Sequence, residues 1–244
     1  MIDRLVRAKF CPNPNRKVLF NSKEQFCSTN KTGKKKQRKS VLVTAERVVN
    51  ITYFVHGATP DNEQGIASGW YDIGLSKLGR KQSLELKALL KNRRFCVVYC
   101  SDLRRALHTA EIVFGNKVKI VQDKRLRECN FGDLTRAKSA KIDSLMLKHV
   151  DKPFPNGECY RDVERRIKSF LDDLHERHAG KSVALVAHRA PQLALDVLLK
   201  GKTWEEAIKE DWRLNYLLEW RPGWEYKSEA QDPIPSSHNG RCTS

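Results

Sequence analysis

The chain has 244 residues, 40% of them hydrophobic and 31% charged, a balance suited to one sizeable buried core. No apolar run reaches the roughly 18 residues of a membrane span, so no membrane-spanning helix is expected, and no solenoid-type repeat is visible. The net charge of +17 is unevenly placed, because residues 1–50 hold 13 Lys/Arg against Asp3, Glu24 and Glu46, a net of +10.

Residues 1–47 read as a basic, poorly ordered arm. The run Cys11–Asn15 (CPNPN) breaks any element, and KTGKKKQRKS from Lys31 to Ser40 repels itself and cannot bury apolar area. The segment Lys34–Lys39 fits a polyanion contact, a nuclear signal or a solvated linker. The first ten residues are mildly amphipathic, which keeps a mitochondrial presequence open, although Asp3 speaks against it. No secretory signal is expected.

The text then becomes regular. Val48–Val55 (VVNITYFV) is β-branched and aromatic and predicts a buried strand. Ser76 is placed to cap a helix from Lys77 to Lys91, whose apolar positions include Leu78, Leu84, Leu86, Leu89 and Leu90. Cys96–Cys100 (CVVYC) predicts a second strand, and Asp102 a cap for the helix LRRALHTAEIVF. Val118–Val121 predicts a third strand, followed by a loop carrying RECNFGDL. A helix near Ala140–His149, a Pro/Gly break at KPFPNG and a long helix over Tyr160–His178 come next. Ser182–Ala187 (SVALVA) predicts a strand that runs into His188, with the helix APQLALDVLL after it. The expected domain covers 48–227, with a flexible tail over 228–244.

Strands alternate with helices and several strands are apolar throughout. The expected fold is a three-layer α/β/α arrangement, with a mostly parallel central sheet and helices on both faces. Ligands of such sheets bind beyond the carboxyl ends of strands. Two strands end in histidine, His56 and His188, so both imidazoles should project into one crevice, with arginines nearby. The seven cysteines, Cys11, Cys27, Cys96, Cys100, Cys129, Cys159 and Cys242, match no zinc or disulfide framework and read as reduced thiols. The expected location is therefore intracellular: the cytoplasm first, with the nucleus or mitochondrion left open by the basic arm.

The motifs HGATPDN, GWYDIGLSKLGRKQ, SDLRRALHTAE, LRECNFGD, NGECY and VAHRAP occur in the order and rough spacing of the histidine phosphatase superfamily. Over about Val48–Leu199 the sequence resembles its phosphoglycerate-mutase-like branch. The resemblance implies that His56 is a nucleophile that becomes phosphohistidine. It implies that Arg105 grips the phosphate, that Asn62 also reaches it, and that His188 hydrogen-bonds the transferring phosphoryl group. Glu128 matches the acid that protonates the leaving oxygen. Glu158 and Arg104 are lesser candidates, the first as a helix-start carboxylate, the second as a solvated neighbour that could exchange roles with Arg105. His108, Trp70 and Trp204 read as packing residues. No cofactor and no metal is implied.

One departure matters. The family pattern has arginine directly before the first histidine, and here that residue is Val55. Loss of one preorganised donor costs on the order of 10²–10³ in rate, so a weakened phosphatase is expected unless another cation compensates. Arg189, directly after His188, is the candidate for that role, with an outward-facing helix-start arginine as its plain alternative. The stretch from Glu128 to His188 is short for the family, which favours hydrolysis of a phosphorylated small molecule over mutase-type transfer. Two other readings stay open: a silent member that binds a phosphorylated ligand or protein, and a nucleic-acid-associated protein acting through its arm. The sequence leaves the substrate and the oligomeric state open.

Overall fold

A computed structural model describes residues 48–211, 213 and 223–229. The expected arm over 1–47 and the tail beyond 229 lie outside the described residues. Strands β1 (Val48–Val55), β2 (Val97–Cys100), β3 (Ile120–Gln122), β4 (Ser182–Ala187) and β5 (Trp224–Glu229) form one sheet in the order β3-β2-β4-β1-β5. The β3–β2, β2–β4 and β4–β1 pairs are parallel, and β5 closes the far edge antiparallel to β1. The helices are α1 (Pro60–Glu63), α2 (Lys77–Leu89), α3 (Arg104–Phe114), α4 (Ser139–Leu145), α5 (Tyr160–His178), α6 (Arg189–Lys200) and α7 (Trp204–Lys209).

The pleat of the strands sorts their side chains into two cores. Val49, Ile51 and Tyr53 of β1, Leu185 of β4 and Trp224 of β5 pack with Ile167 and Phe170 of α5 and Leu193 of α6. Phe54, Val98, Ala184 and Val186 face the other way, onto Leu86 of α2 and Ala106, Ala110 and Val113 of α3. This is the expected three-layer α/β/α fold with a mostly parallel sheet. Helix α5 shows how its sequence earns its place: Val163, Ile167, Phe170, Leu171 and Leu174 are buried at helical spacing while the opposite face is charged. Burying each such side chain is worth about 1.5–3 kcal/mol.

Some expectations need correction. Asp102 does not cap α3: Leu103 stands at the N-cap without a side-chain hydrogen bond. The Asp102 carboxylate instead takes both Arg127 Nε and Nη2, at 2.8 and 2.7 Å, because a bidentate guanidinium outcompetes a backbone amide. The expected helix over 140–149 is α4 followed by a 3₁₀ turn, Leu147–His149. Strand β5 was not anticipated, and its last residues, Ser228 and Glu229, pair with Val49 and Val48 past the expected domain end.

The loop after β1 is clamped by α2. A Cβ at Gly57 would lie 2.4 Å from the Gly79 carbonyl oxygen, and a Cβ at Gly79 would lie 2.0 Å from that of Ala58. Both obstacles are backbone atoms, which cannot swing away. Gly79→Ala should therefore force the loop off α2 and cost about 1–3 kcal/mol, as overpacking does. Chemical denaturation checks this; an unchanged midpoint would mean that the contact yields freely.

Candidate active site

Val55 pairs with Ala187 at the parallel ends of β1 and β4, and the His56 N–H donates to Ala187 O at 3.1 Å. The two strand-end histidines are thereby brought together, their ring centroids 5.0 Å apart. The His56 tautomer follows from its partners. Nδ1 lies 2.7 Å from the Gly57 carbonyl oxygen, so it carries the proton. Nε2 accepts from Arg105 Nε at 3.3 Å, so it keeps its lone pair. Burial, reinforced by Arg105, pushes the imidazole down to about 3; it is neutral at physiological pH.

Arg105 lies in the first turn of α3 and is 2% exposed. Its Nη1 donates to Tyr71 O at 3.0 Å and its Nη2 to Gly69 O at 2.7 Å, so the fork is fixed by the GWYD loop while Nε faces His56. Burial lowers Arg105 to about 10, which leaves it protonated at neutral pH. Thr109, one turn along, accepts from Gly57 N at 3.0 Å and donates to Arg105 O at 2.8 Å, tying the histidine loop to the helix. Arg104 points elsewhere: it is exposed and bound to Asp72.

His188 is fully buried. Tyr53 holds its backbone, with the tyrosine hydroxyl donating to His188 O and accepting from His188 N at 3.0 Å. Neither ring nitrogen has a hydrogen-bond partner among the described residues. Burial, with Arg105 and His56 adding to it, holds His188 well below the ordinary range of histidine.

Glu128 turns its carboxylate to the start of α6. Oε1 accepts from Cys129 N and Ala190 N at 2.9 and 3.0 Å, and Oε2 accepts from Arg189 N at 3.1 Å. Its backbone carbonyl takes Trp70 Nε1 and Arg166 Nη2 at 2.6 and 3.0 Å. Glu158 sits behind this loop, bound to Arg166 Nε at 3.1 Å and to Asn130 N at 2.9 Å. It does not line the cavity, so its place is to brace the Glu128 segment. Trp204 is a packing residue as expected, 3% exposed against Tyr160.

The cavity above these groups measures about 690 Å³ and is lined by Val55, His56, Asn62, Arg105, Glu128 and Arg189 among others. Asn62 forms a capping box with Thr59: its Oδ1 accepts from Thr59 N at 3.1 Å, and Thr59 Oγ1 accepts from Asn62 N at 3.1 Å. Helix α4 contributes Ser139, Ala140, Ile142 and Asp143 to the lining. Arg189 reaches the cavity in the grip of two carboxylates, Asp211 on Nε and Asp143 on Nη1. Burial disfavours its charge, but Asp211 and Asp143 more than offset this and raise it above the ordinary arginine range. Arg213 also lines the cavity; the sequence reading passed over it. Among the described residues no cluster of His, Cys, Asp or Glu could hold a metal ion, and no helix is long and apolar enough to cross a membrane.

Paired strand-end imidazoles around a buried arginine coincide with a match over residues 53–218 to the histidine phosphatase superfamily (branch 1). The chain belongs to this superfamily. Its relatives span hydrolases and mutases. Phosphoserine phosphatase 1 of Hydrogenobacter thermophilus is 28% identical over 163 residues, covering 63% of this chain and 77% of that protein. A 2,3-bisphosphoglycerate-dependent phosphoglycerate mutase of Brucella anthropi is 27% identical over 172 residues, 64% of this chain and 84% of the mutase. Among solved structures, the native mycobacterial glucosyl-3-phosphoglycerate phosphatase superposes with a TM-score of 0.59 at 27% identity, covering 67% of this chain and 84% of that one. Membership in the superfamily accounts for the α/β fold with its mostly parallel sheet.

Proposed function

We propose that the protein hydrolyses phosphomonoesters of small molecules through a phosphohistidine on His56. The observation that carries this reading is the pairing of a neutral His56, its Nε2 lone pair free of a proton, with a buried Arg105 Nε 3.3 Å away. A phosphoryl group entering between them takes the arginine N–H onto its oxygens and meets the Nε2 lone pair along the phosphorus–oxygen axis. The P–N bond forms as the P–O bond to the alcohol breaks. Glu128 gives the leaving oxygen its proton; water then attacks the phosphohistidine, the P–N bond breaks to release phosphate and restore the imidazole, and the attacking water returns a proton to Glu128. His188, whose buried nitrogens lack hydrogen-bond partners among the described residues, hydrogen-bonds the phosphoryl oxygens, and the Asn62 amide adds a contact at the cavity wall. Arg189 keeps a phosphate-binding part through Nη2, a buried donor with no protein partner among the described residues.

The test is a panel of phosphorylated metabolites with p-nitrophenyl phosphate as the activated member, reading phosphate release and acid-labile phosphate on His56. Release with label supports the reading; label that passes to a second position of the substrate rather than to water would make the protein a mutase. Absence of both turnover and label, with phosphorylated ligands still bound, would make it a silent binding member. Arg105→Lys keeps the charge but loses the planar fork held by Gly69 and Tyr71. Its kcat/KM should fall on the order of 10²-fold with p-nitrophenyl phosphate. Full activity in that variant would show that Arg105 acts as a point charge alone.

A further inference from the structure

The residue before His56 is Val55, so strand β1 ends without a cation where the superfamily pattern carries one. Val55 lies on the sheet face of Tyr53 and packs against the core beneath α5 and α6. On that face Tyr53 pairs with Trp224 of β5, with ring centroids 6.2 Å apart. The Arg213 guanidinium lies over the Trp224 ring, 5.3 Å from its centroid. An arginine from outside the strand thus enters the cavity on the face where the side chain of position 55 belongs.

Its setting is built rather than incidental. Asp211 is a buried carboxylate, its side chain 0% exposed, and it is shared between two arginines. Oδ2 takes Arg189 Nε, and Oδ1 takes Arg213 Nη1 at 2.8 Å and Arg213 N at 3.1 Å. Gln192 Oε1 accepts from Arg213 Nη1 at 3.0 Å. A shared carboxylate, an amide and an aromatic face together fix the plane of the guanidinium. Arg189 stands between two carboxylates, Asp211 and Asp143. Val55, His56, Arg189 and Arg213 line one cavity, and among the cations it is Arg105 and Arg213 that help to lower His56.

We propose that Arg213, held by Asp211 and Trp224, supplies the guanidinium that Val55 lacks and binds the phosphoryl oxygens together with Arg105. This rests on the phosphatase reading above and differs from the expectation that Arg189 fills the gap. Arg189, with Nε on Asp211 and Nη1 on Asp143, ties Asp211 to α4 and reaches the phosphoryl group only through Nη2.

The test uses the full chain with p-nitrophenyl phosphate for turnover and orthophosphate for binding by calorimetry. Arg213→Ala should lower kcat/KM on the order of 10²-fold, as loss of a transition-state donor does, and weaken orthophosphate binding in parallel. Millimolar guanidinium should restore part of the rate in this variant and none in the wild type. Val55→Arg should recover activity in the Arg213→Ala background yet give no gain alone, because two guanidiniums would then compete for one place; this non-additivity is the signature of a shared role. Should Arg213→Ala not fold, Arg213→Lys keeps the stem over Trp224 and the charge while losing the fork, and intermediate loss of rate with an unchanged unfolding midpoint supports the proposal. Wild-type turnover and phosphate affinity in Arg213→Ala would overturn it. So would a lowered unfolding midpoint whose rate loss neither guanidinium nor Val55→Arg relieves, since that marks a structural arginine. A rise in KM confined to esters with a second acidic group would also overturn it, assigning Arg213 to substrate selection. If the wild type turns over no phosphomonoester at all, the phosphatase reading fails, and the orthophosphate arm still decides whether Arg213 holds phosphate.

Discussion

His56→Ala should leave phosphatase turnover at background, a loss on the order of 10⁴-fold or more, because the proposed covalent route offers no second acceptor. His188 cannot take over. It is 0% exposed and its backbone is pinned by Tyr53, so its ring is not free to move into line for attack. The reading is checked by phosphate release from p-nitrophenyl phosphate and by acid-labile phosphate on the protein, both of which should vanish together in the variant. Turnover that survives in purified His56→Ala removes His56 from the chemistry.

The same substitution has a second readout in the acid response of stability. Burial lowers His56 from an ordinary 6.5 to about 3, and lowers His188 in the same direction. Between those two values the unfolded chain binds a proton at each histidine that the folded chain refuses. Stability is therefore whole above about 6.5 and falls as the pH drops toward 3. His56→Ala removes one of these two proton-binding sites, so its unfolding midpoint should decline less than that of the wild type between neutral and acid pH. Parallel declines would mean that His56 is not held neutral by the fold.

What the sequence disclosed was what short-range chemistry decides. The β-branched run of β1, the apolar run of β4 and the apolar face of α5 each announce an element through their own period, and two strands ending in histidine announce the crevice. Strand β5 was missed because four of the six residues of WEYKSE are polar and only Trp224 and Tyr226 are apolar. Its strand identity comes from pairing with β1, a partner far away in the chain. Asp102 was misread as a cap because its bidentate partner, Arg127, lies 25 residues on. Arg213 was invisible for a related reason. In a chain with 46 Lys/Arg, one more arginine carries no signal until folding sets it over Trp224 and against Asp211. The sequence also placed Arg189 beside the missing cation without the two carboxylates, Asp143 and Asp211, that engage it.

Glu128→Gln should slow alkyl phosphate esters on the order of 10²–10⁴-fold, the usual worth of general acid catalysis, and p-nitrophenyl phosphate far less. The nitrophenolate leaves without a proton; an alkoxide does not. The geometry gives this substitution a second consequence that must be separated from the first. The Glu128 carboxylate receives backbone N–H groups from Cys129, Arg189 and Ala190, the last two at the N-terminus of α6, where negative charge is stabilised. A glutamine keeps one acceptor oxygen and turns an NH₂ group toward the remaining donor. That donor–donor contact leaves a hydrogen bond unmade at a cost of about 1–3 kcal/mol, and it disturbs the start of the helix that carries Arg189. Such damage slows every substrate by the same factor, whereas loss of the acid slows each in proportion to the basicity of its leaving oxygen. The ratio of the two rates isolates the proton. A ratio that rises steeply in Glu128→Gln assigns the leaving-group proton to this carboxyl. A ratio unchanged from the wild type, with both substrates slowed alike, would leave Glu128 as the anchor of α6 and place the acid elsewhere.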